Sequence, residues 1–140
     1  MGSGTTLEGR SLLTGRAVGE AVVLDEPLSF WGGFDPESGA IIDRRHPQMG
    51  ANLVGRILVM PSGRGSSSTS SVLAEAIRAG TAPAGIVLAE PDGIVVLGAI
   101  VARELYGITH PVLVLAPDQY SRIETEDVIA IEGAAVSISS

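Results

Sequence analysis

From Ala17 onward the apolar residues of the chain recur at two different periods, and the change between them predicts the elements. "GRAVGEAVVLDEP" alternates and then runs apolar, which predicts a first strand over Ala17 to Leu24. "FWGGFDPESG" breaks it with Gly32-Gly33 and Asp35-Pro36-Glu37-Ser38-Gly39, residues that favour tight turns. "AIID" resumes as a short strand, and "RRHPQMGANLVG" is polar and irregular. "RILVM", Arg56 to Met60, is a short apolar run of the kind a buried strand presents. The period then changes. Val72, Leu73, Ala76 and Ile77 fall at i, i+1, i+4 and i+5, one stripe of a helix that begins near Ser68 to Ser70 and stops at Gly80. "GIVLAEPDG" is a second buried strand and a turn. "IVVLGAIVARELYG" is β-branched enough for a strand, but its length and its ending predict a helix over Gly93 to Tyr106. "PVLVLA" is a strand, "PDQYSRI" a single helical turn, and "DVIAIEGAAVSIS" two short strands around Glu132-Gly133. Met1 to Leu13 shows no such pattern and reads as a loose N-terminal arm.

Strands dominate the first third, and strand–helix–strand–helix–strand units fill the middle. That order predicts an α/β fold with a partly parallel sheet. The 140 residues suit a single domain spanning 1–140, without internal repeats. With aromatics at 4% of the chain, the core must be built from Val, Ile, Leu and Ala.

Charge and composition then remove classes of function. The net charge is −7, and no basic stripe is interleaved with aromatics, so neither nucleic acid nor an anionic membrane is an expected partner. Cysteine is absent, which removes disulfides, thiolate chemistry and cysteine-ligated metal or iron–sulfur centres from this chain. The apolar runs are too short to span a bilayer, and the N-terminus lacks a cationic start followed by an apolar stretch. The expectation is a cytoplasmic domain.

The candidate chemistry sits in "PSGRGSSSTSSVLAEAIRAG", Pro61 to Gly80. Ser/Gly-rich composition usually marks a flexible linker. Here a buried strand ends at Met60, a helix begins at once, and no second domain needs a tether. A strand, a Gly-rich turn and a helix N-terminus leave several backbone N–H groups pointing one way, and the helix dipole adds positive charge. Such a place binds carboxylate or phosphate. Gly63 and Gly65 let the backbone approach a ligand, Arg64 offers a bidentate clamp, and the hydroxyls of Ser66, Ser67 and Ser68 can cap, bind or react. The glycines do not match a nucleotide P-loop. His46 and His110, the only histidines, both precede proline, and no G-x-S-x-G elbow is present, which argues against a Ser-His-Asp triad. A serine acting here as a base needs several N–H donors, a cation and exclusion of water.

Three other stretches carry weaker signals. Trp31 to Asp35 is either a hairpin turn with Trp31 in a satellite core or a second wall, with Gly33 and Asp35 beside the substrate and Trp31 at an interface. Arg44, Arg45 and His46 read as a solvated face. Glu90, Pro91 and Asp92 read as a turn that caps the next helix, at a strand's C-terminal end where open α/β sheets bind ligands.

"LSFWGGFDPESGAIIDRRHP", "GRILVMPSGRGSSSTSSVLAEAI", "GTAPAGIVLAEPDGIVVLGAIVARELYG" and "PVLVL" resemble, in order, the small swivel-domain subunit of the aconitase X-type dehydratases. The resemblance runs from about Ala17 to Ile131. It implies a swivelling β/β/α domain that completes an active site with a large subunit. That partner would carry an iron–sulfur cluster or metal ion, and this chain alone would bind no cofactor. In the wider aconitase family a G-x-G-S-S-R segment supplies a serine base. The matching residues here are Gly63-Arg64-Gly65-Ser66-Ser67-Ser68, so the resemblance implies Ser66 as the catalytic base. Ser68 stands where those enzymes have a substrate-binding arginine, so the anion clamp must come from Arg64, from Ser67 and Ser68, or from the partner. The implied reaction is loss of water from a small hydroxy acid. The bacterial type acts on cis-3-hydroxy-L-proline and the archaeal type on mevalonate 5-phosphate. The serine-rich loop and the absence of lysine lean to the former. A non-catalytic anion-binding or interaction module on the same fold is the alternative from another class.

Overall fold

The computed structural model describes residues 5–64 and 68–139. Three of the candidate site residues, Gly65, Ser66 and Ser67, therefore lie outside the described residues, as do 1–4 and 140. The elements are β1 (Thr5–Glu8), β2 (Arg10–Leu13), β3 (Arg16–Val23), α1 (Phe30–Gly33), β4 (Ile57–Met60), α2 (Ser68–Ala79), β5 (Gly85–Leu88), α3 (Gly93–Tyr106), β6 (Val112–Val114), α4 (Pro117–Tyr120), β7 (Val128–Glu132) and β8 (Ala135–Ser139).

The fold is mixed α/β. β3, β4, β5 and β6 run parallel, with α2 and α3 as the crossovers. β7 and β8 add antiparallel strands beside β3, and β2 pairs antiparallel with β6. The full order is β1-β8-β7-β3-β4-β5-β6-β2. Its two ends, β1 and β2, are separated in the chain only by Gly9. One continuous segment thus pairs with both β8 and β6 and closes the sheet into a barrel-like shape, which covers the edges those two strands would otherwise expose. Gly9 sits at the seam. Its N–H donates to the Ala134 carbonyl at 2.8 Å. A Cβ there would stand 2.4 Å from the Val114 carbonyl oxygen, so only glycine fits.

The expected loose arm is therefore corrected over residues 5–13: it is the closing strand pair. Its pattern hides this, because β1 buries only Leu7 and β2 only Leu13. "AIID" is also corrected. It makes only isolated bridges, Phe34 with Ile41 and Ala40 with Asn52, inside a turn-rich excursion between β3 and β4.

Alternation along the parallel strands divides the core in two. Ile57 and Val59 of β4, Val87 of β5 and Leu113 of β6 point inside the closed sheet, against Leu7, Ile129, Val136 and Ile138. Leu58, Met60, Ile86, Leu88 and Val112 point outward, under α2 and α3. The two helices touch closely at Gly98, where a Cβ would meet the Ser70 carbonyl oxygen at 3.0 Å and Leu73 at 3.1 Å. α3 matches its predicted span. Asp92 caps it, and Gly107, at φ 69°, ends it with a bond to the Arg103 carbonyl. α4 is the expected single turn, and β7–β8 is the expected hairpin, turning at Gly133.

The solvated face expected at Arg44-Arg45-His46 holds for the two exposed arginines only. His46 is buried. Its Nδ1 accepts from the Gln48 N–H, which puts the proton on Nε2, and Nε2 donates to the Glu26 carbonyl. Among the described residues no helix is long and apolar enough to cross a membrane.

Candidate functional site

The C-terminal ends of β4 and β5 lie side by side, Met60 against Leu88. The loops that leave them are tied together. The Pro61 carbonyl accepts from both the Ala89 and Glu90 N–H groups at 3.0 Å. On the other side Gly63 bridges to Leu28, and the Arg64 N–H donates to the Leu28 carbonyl at 3.2 Å. Three segments thus meet at one edge. Gly63 is glycine for lack of room: a Cβ would stand 2.7 Å from Asp92 Oδ2 and 2.9 Å from Val95 Cγ2.

Two helices start at this edge, and their N-termini differ in charge. Asp92 Oδ1 accepts from the Ile94 and Val95 N–H groups at 2.9 and 3.0 Å, so a carboxylate already occupies the positive end of α3. α2 has no acidic residue in its first turn. Its dipole therefore remains to favour an anion, next to Arg64. The Arg64 guanidinium reaches Glu26 only at 4.0 Å, with both side chains half exposed. A contact that long and that wet holds it weakly and leaves it able to turn toward a ligand.

Between these helices lies a cavity of about 60 Å³ lined by Gly63, Arg64, Thr69, Asp92, Ile94 and Val95. Thr69 is 1% exposed, yet its Oγ1 has no hydrogen-bond partner. Thr69 went unmarked in the sequence because it is one hydroxyl in a run of hydroxyls; only the register of α2 turns it inward. Asp92 was read as a cap, and it is one, but its second oxygen also faces this cavity wall. Ser68 is the half-buried first residue of α2.

The second wall does not assemble as expected. Gly33 is buried, and its carbonyl accepts from the Ile42 N–H. Asp35 spends both carboxylate oxygens on its own turn, accepting from the Glu37 N–H and the Ser38 hydroxyl. These bonds, the Glu37 N–H first, hold its pKa below the usual carboxylate value. The next residue, Pro36, accepts from Thr81 Oγ1 at 2.7 Å, beyond the C-terminal end of α2. The 12 residues of α2 put that end about 18 Å from Ser68. Asp35 is therefore no part of this cleft. Trp31 is 61% exposed, which excludes the satellite core. Phe30 and Phe34 are the buried pair, edge to face at 5.1 Å. Trp31 remains near the site edge, three residues after Leu28.

His110 lies at the other end of the parallel strands. It precedes Pro111, whose carbonyl accepts from the Ile86 N–H near the start of β5. It is buried, bonds the Pro83 carbonyl through Nε2, and has its pKa pushed down to about 4 by burial. His110 thus lies away from this edge, and both ring nitrogens of His46 are engaged, with the Gln48 N–H and the Glu26 carbonyl. With no cysteine in the chain and no group of three His, Asp or Glu placed to bind a metal among the described residues, the donor set does not fit an iron–sulfur cluster. Among the described residues this cavity is lined by one cation, Arg64, and one buried hydroxyl, that of Thr69, next to a helix N-terminus of the kind that suits an anion.

Comparison with known proteins places the chain in a family. The family model for the aconitase X swivel domain matches residues 6–139. The chain belongs to the aconitase X swivel domain family. The aconitase X of Thermococcus kodakaraensis, in its holo form, superposes with a TM-score of 0.85 at 32% identity, over 96% of this chain and 98% of that one. A cis-3-hydroxy-L-proline dehydratase of Pseudomonas aeruginosa is 54% identical over 106 residues, 76% of this chain and 18% of that protein. A phosphomevalonate dehydratase small subunit of Pyrococcus furiosus is 43% identical over 96 residues, 69% of this chain and 72% of that one. The chain thus spans only about a fifth of the length of the hydroxyproline dehydratases it matches.

Proposed function

We propose that this swivel domain forms one wall of a hydro-lyase active site that dehydrates cis-3-hydroxy-L-proline. A large aconitase X subunit or domain supplies the other wall, together with any iron–sulfur cluster or metal ion. The observation that carries the substrate is the 54% identity to a hydroxyproline dehydratase. The geometry supports the chemistry: an acid-free helix N-terminus and Arg64 beside a strand–loop–helix turn suit a substrate carboxylate.

In this reading the carboxylate docks at the start of α2 and against Arg64. Ser66, which lies in the chain between Arg64 and Ser68, takes the proton from the carbon next to the carboxylate. Backbone N–H groups and the cation lower the cost of the serine alkoxide and of the charge that develops on the carboxylate. The electron pair left behind forms the double bond as the neighbouring hydroxyl departs, and its departure is left to the partner's side of the site. Gly63, Ser67 and Ser68 shape the seat.

A mevalonate 5-phosphate dehydratase is the second reading, favoured by the 72% coverage of a phosphomevalonate dehydratase small subunit. The test is turnover by the assembled enzyme, anaerobically, with both substrates offered side by side. Dehydration of cis-3-hydroxy-L-proline alone is expected. Turnover of mevalonate 5-phosphate alone would keep the reaction class and reject the substrate. Turnover of neither by a cofactor-loaded complex would reject both.

A further inference from the structure

We propose that the cavity between Gly63, Thr69 and Asp92 is a subsite for the protonated nitrogen of an amino-acid-type substrate, and that Asp92 selects such substrates over phosphorylated ones. The proposal rests on the hydroxyproline reading above.

Asp92 uses one oxygen for the cap of α3. Its other oxygen, Oδ2, packs against Gly63, 2.7 Å from where a Cβ would stand, and both residues line the cavity. Across the same cavity Thr69 buries a hydroxyl that nothing in the described protein satisfies. A buried hydroxyl without a partner is costly, so its retention calls for a ligand. The about 60 Å³ of space has room for a group the size of one or two waters.

A secondary ammonium fits all three facts. It carries one positive charge and two N–H donors, which Asp92 Oδ2 and Thr69 Oγ1 can accept. The carboxylate on the adjacent carbon would then reach toward Arg64 and the start of α2. A phosphate placed in the cavity would meet the Asp92 carboxylate as a like charge, which is a penalty rather than a bond.

The test uses the assembled enzyme and two competitive ligands of the same shape, L-proline and cyclopentanecarboxylate. They differ by NH₂⁺ against CH₂. The wild type is expected to bind L-proline about ten-fold or more tightly than cyclopentanecarboxylate. Asp92→Asn keeps the capping oxygen and removes the charge. It should raise the KM for cis-3-hydroxy-L-proline by about ten- to a hundred-fold, bring the two ligands to near-equal affinity, and leave cyclopentanecarboxylate binding unchanged. Thr69→Val should give the same pattern at about three- to ten-fold. It also serves as the independent variant should Asp92→Asn melt early. An undiminished preference for L-proline in both variants overturns the subsite while leaving the substrate assignment intact. Equal weakening of both ligands overturns it as well, because it marks a purely structural role. A wild type that turns over only mevalonate 5-phosphate overturns the substrate reading and the subsite together.

Discussion

The two ends of the parallel strands are built from similar loops, but to opposite purposes. At the C-terminal end the loops after β4 and β5 carry Arg64 and Asp92, and the start of α2 carries Thr69, around a small polar cavity. At the N-terminal end the loops before β5 and β6 are Ala82-Pro83-Ala84 and His110-Pro111, which pack down and bury the imidazole. His110, for all that imidazole is a common acid–base group, is here a core residue held by its Nε2 bond to the Pro83 carbonyl. The described polar groups that line the cavity at the opposite end include a threonine, one arginine and an aspartate, beside a helix whose first turn holds no acidic residue. Position relative to strand direction, more than residue type, decides which polar groups are available for work.

The contrast can be strained from both sides. The largest effect on stability is expected at the buried end. His110 is neutral when folded, with a pKa near 4 against an ordinary 6.5. Between those values the unfolded chain binds the proton that the folded chain refuses. Stability therefore falls as pH drops from 6.5 toward 4, by up to about 3 kcal/mol. Denaturant titrations across that range should show the loss. His110→Asn should flatten that part of the profile, and a slope unchanged by the substitution would remove His110 as its source.

A smaller effect is expected at the site edge. Gly63→Ala would push a methyl group against Asp92 and Val95, at an expected cost of about 1–3 kcal/mol in the melting or denaturant midpoint. The same change should depress turnover more than stability alone explains, because it forces apart the loop and the start of α3. A fully tolerated alanine would mean that the close approach is not tight. The smallest effect is the cap. Asp92→Ala should lower stability by about 1 kcal/mol through the lost bonds to Ile94 and Val95, and Asp92→Asn should recover most of that.

Much of this was legible in the sequence where local pattern suffices. β4, α2, β5 and α3 follow from apolar runs and helical spacing, and Gly107 and Asp92 mark the ends of α3. The closing strands were not legible. β1 and β2 bury one residue each, and their partners, β8 and β6, lie far along the chain, with Thr5 opposite Ile138 and Arg10 opposite Val114. A strand followed by glycines and a helix start singles out Gly63, Arg64 and Ser68 in the sequence, and the structure places Gly63 and Arg64 at one edge, with Ser68 opening α2. Thr69 is not singled out, because which hydroxyl in the run turns inward depends on packing between α2 and α3. Asp35 lies apart from this cavity with its carboxylate bonded within its own turn, and an aspartate that closes a turn looks the same in sequence as one that meets a ligand.

The central claim is that the serine loop at the C-terminal end of β4 supplies the base, and it is tested most directly by Ser66→Ala in the assembled enzyme with cis-3-hydroxy-L-proline. The measurement is kcat alongside the thermal midpoint. A fall in kcat of about 10²- to 10⁴-fold with an unchanged midpoint is the predicted result. Wild-type kcat in a correctly assembled Ser66→Ala enzyme would contradict it and move the base out of this chain's loop.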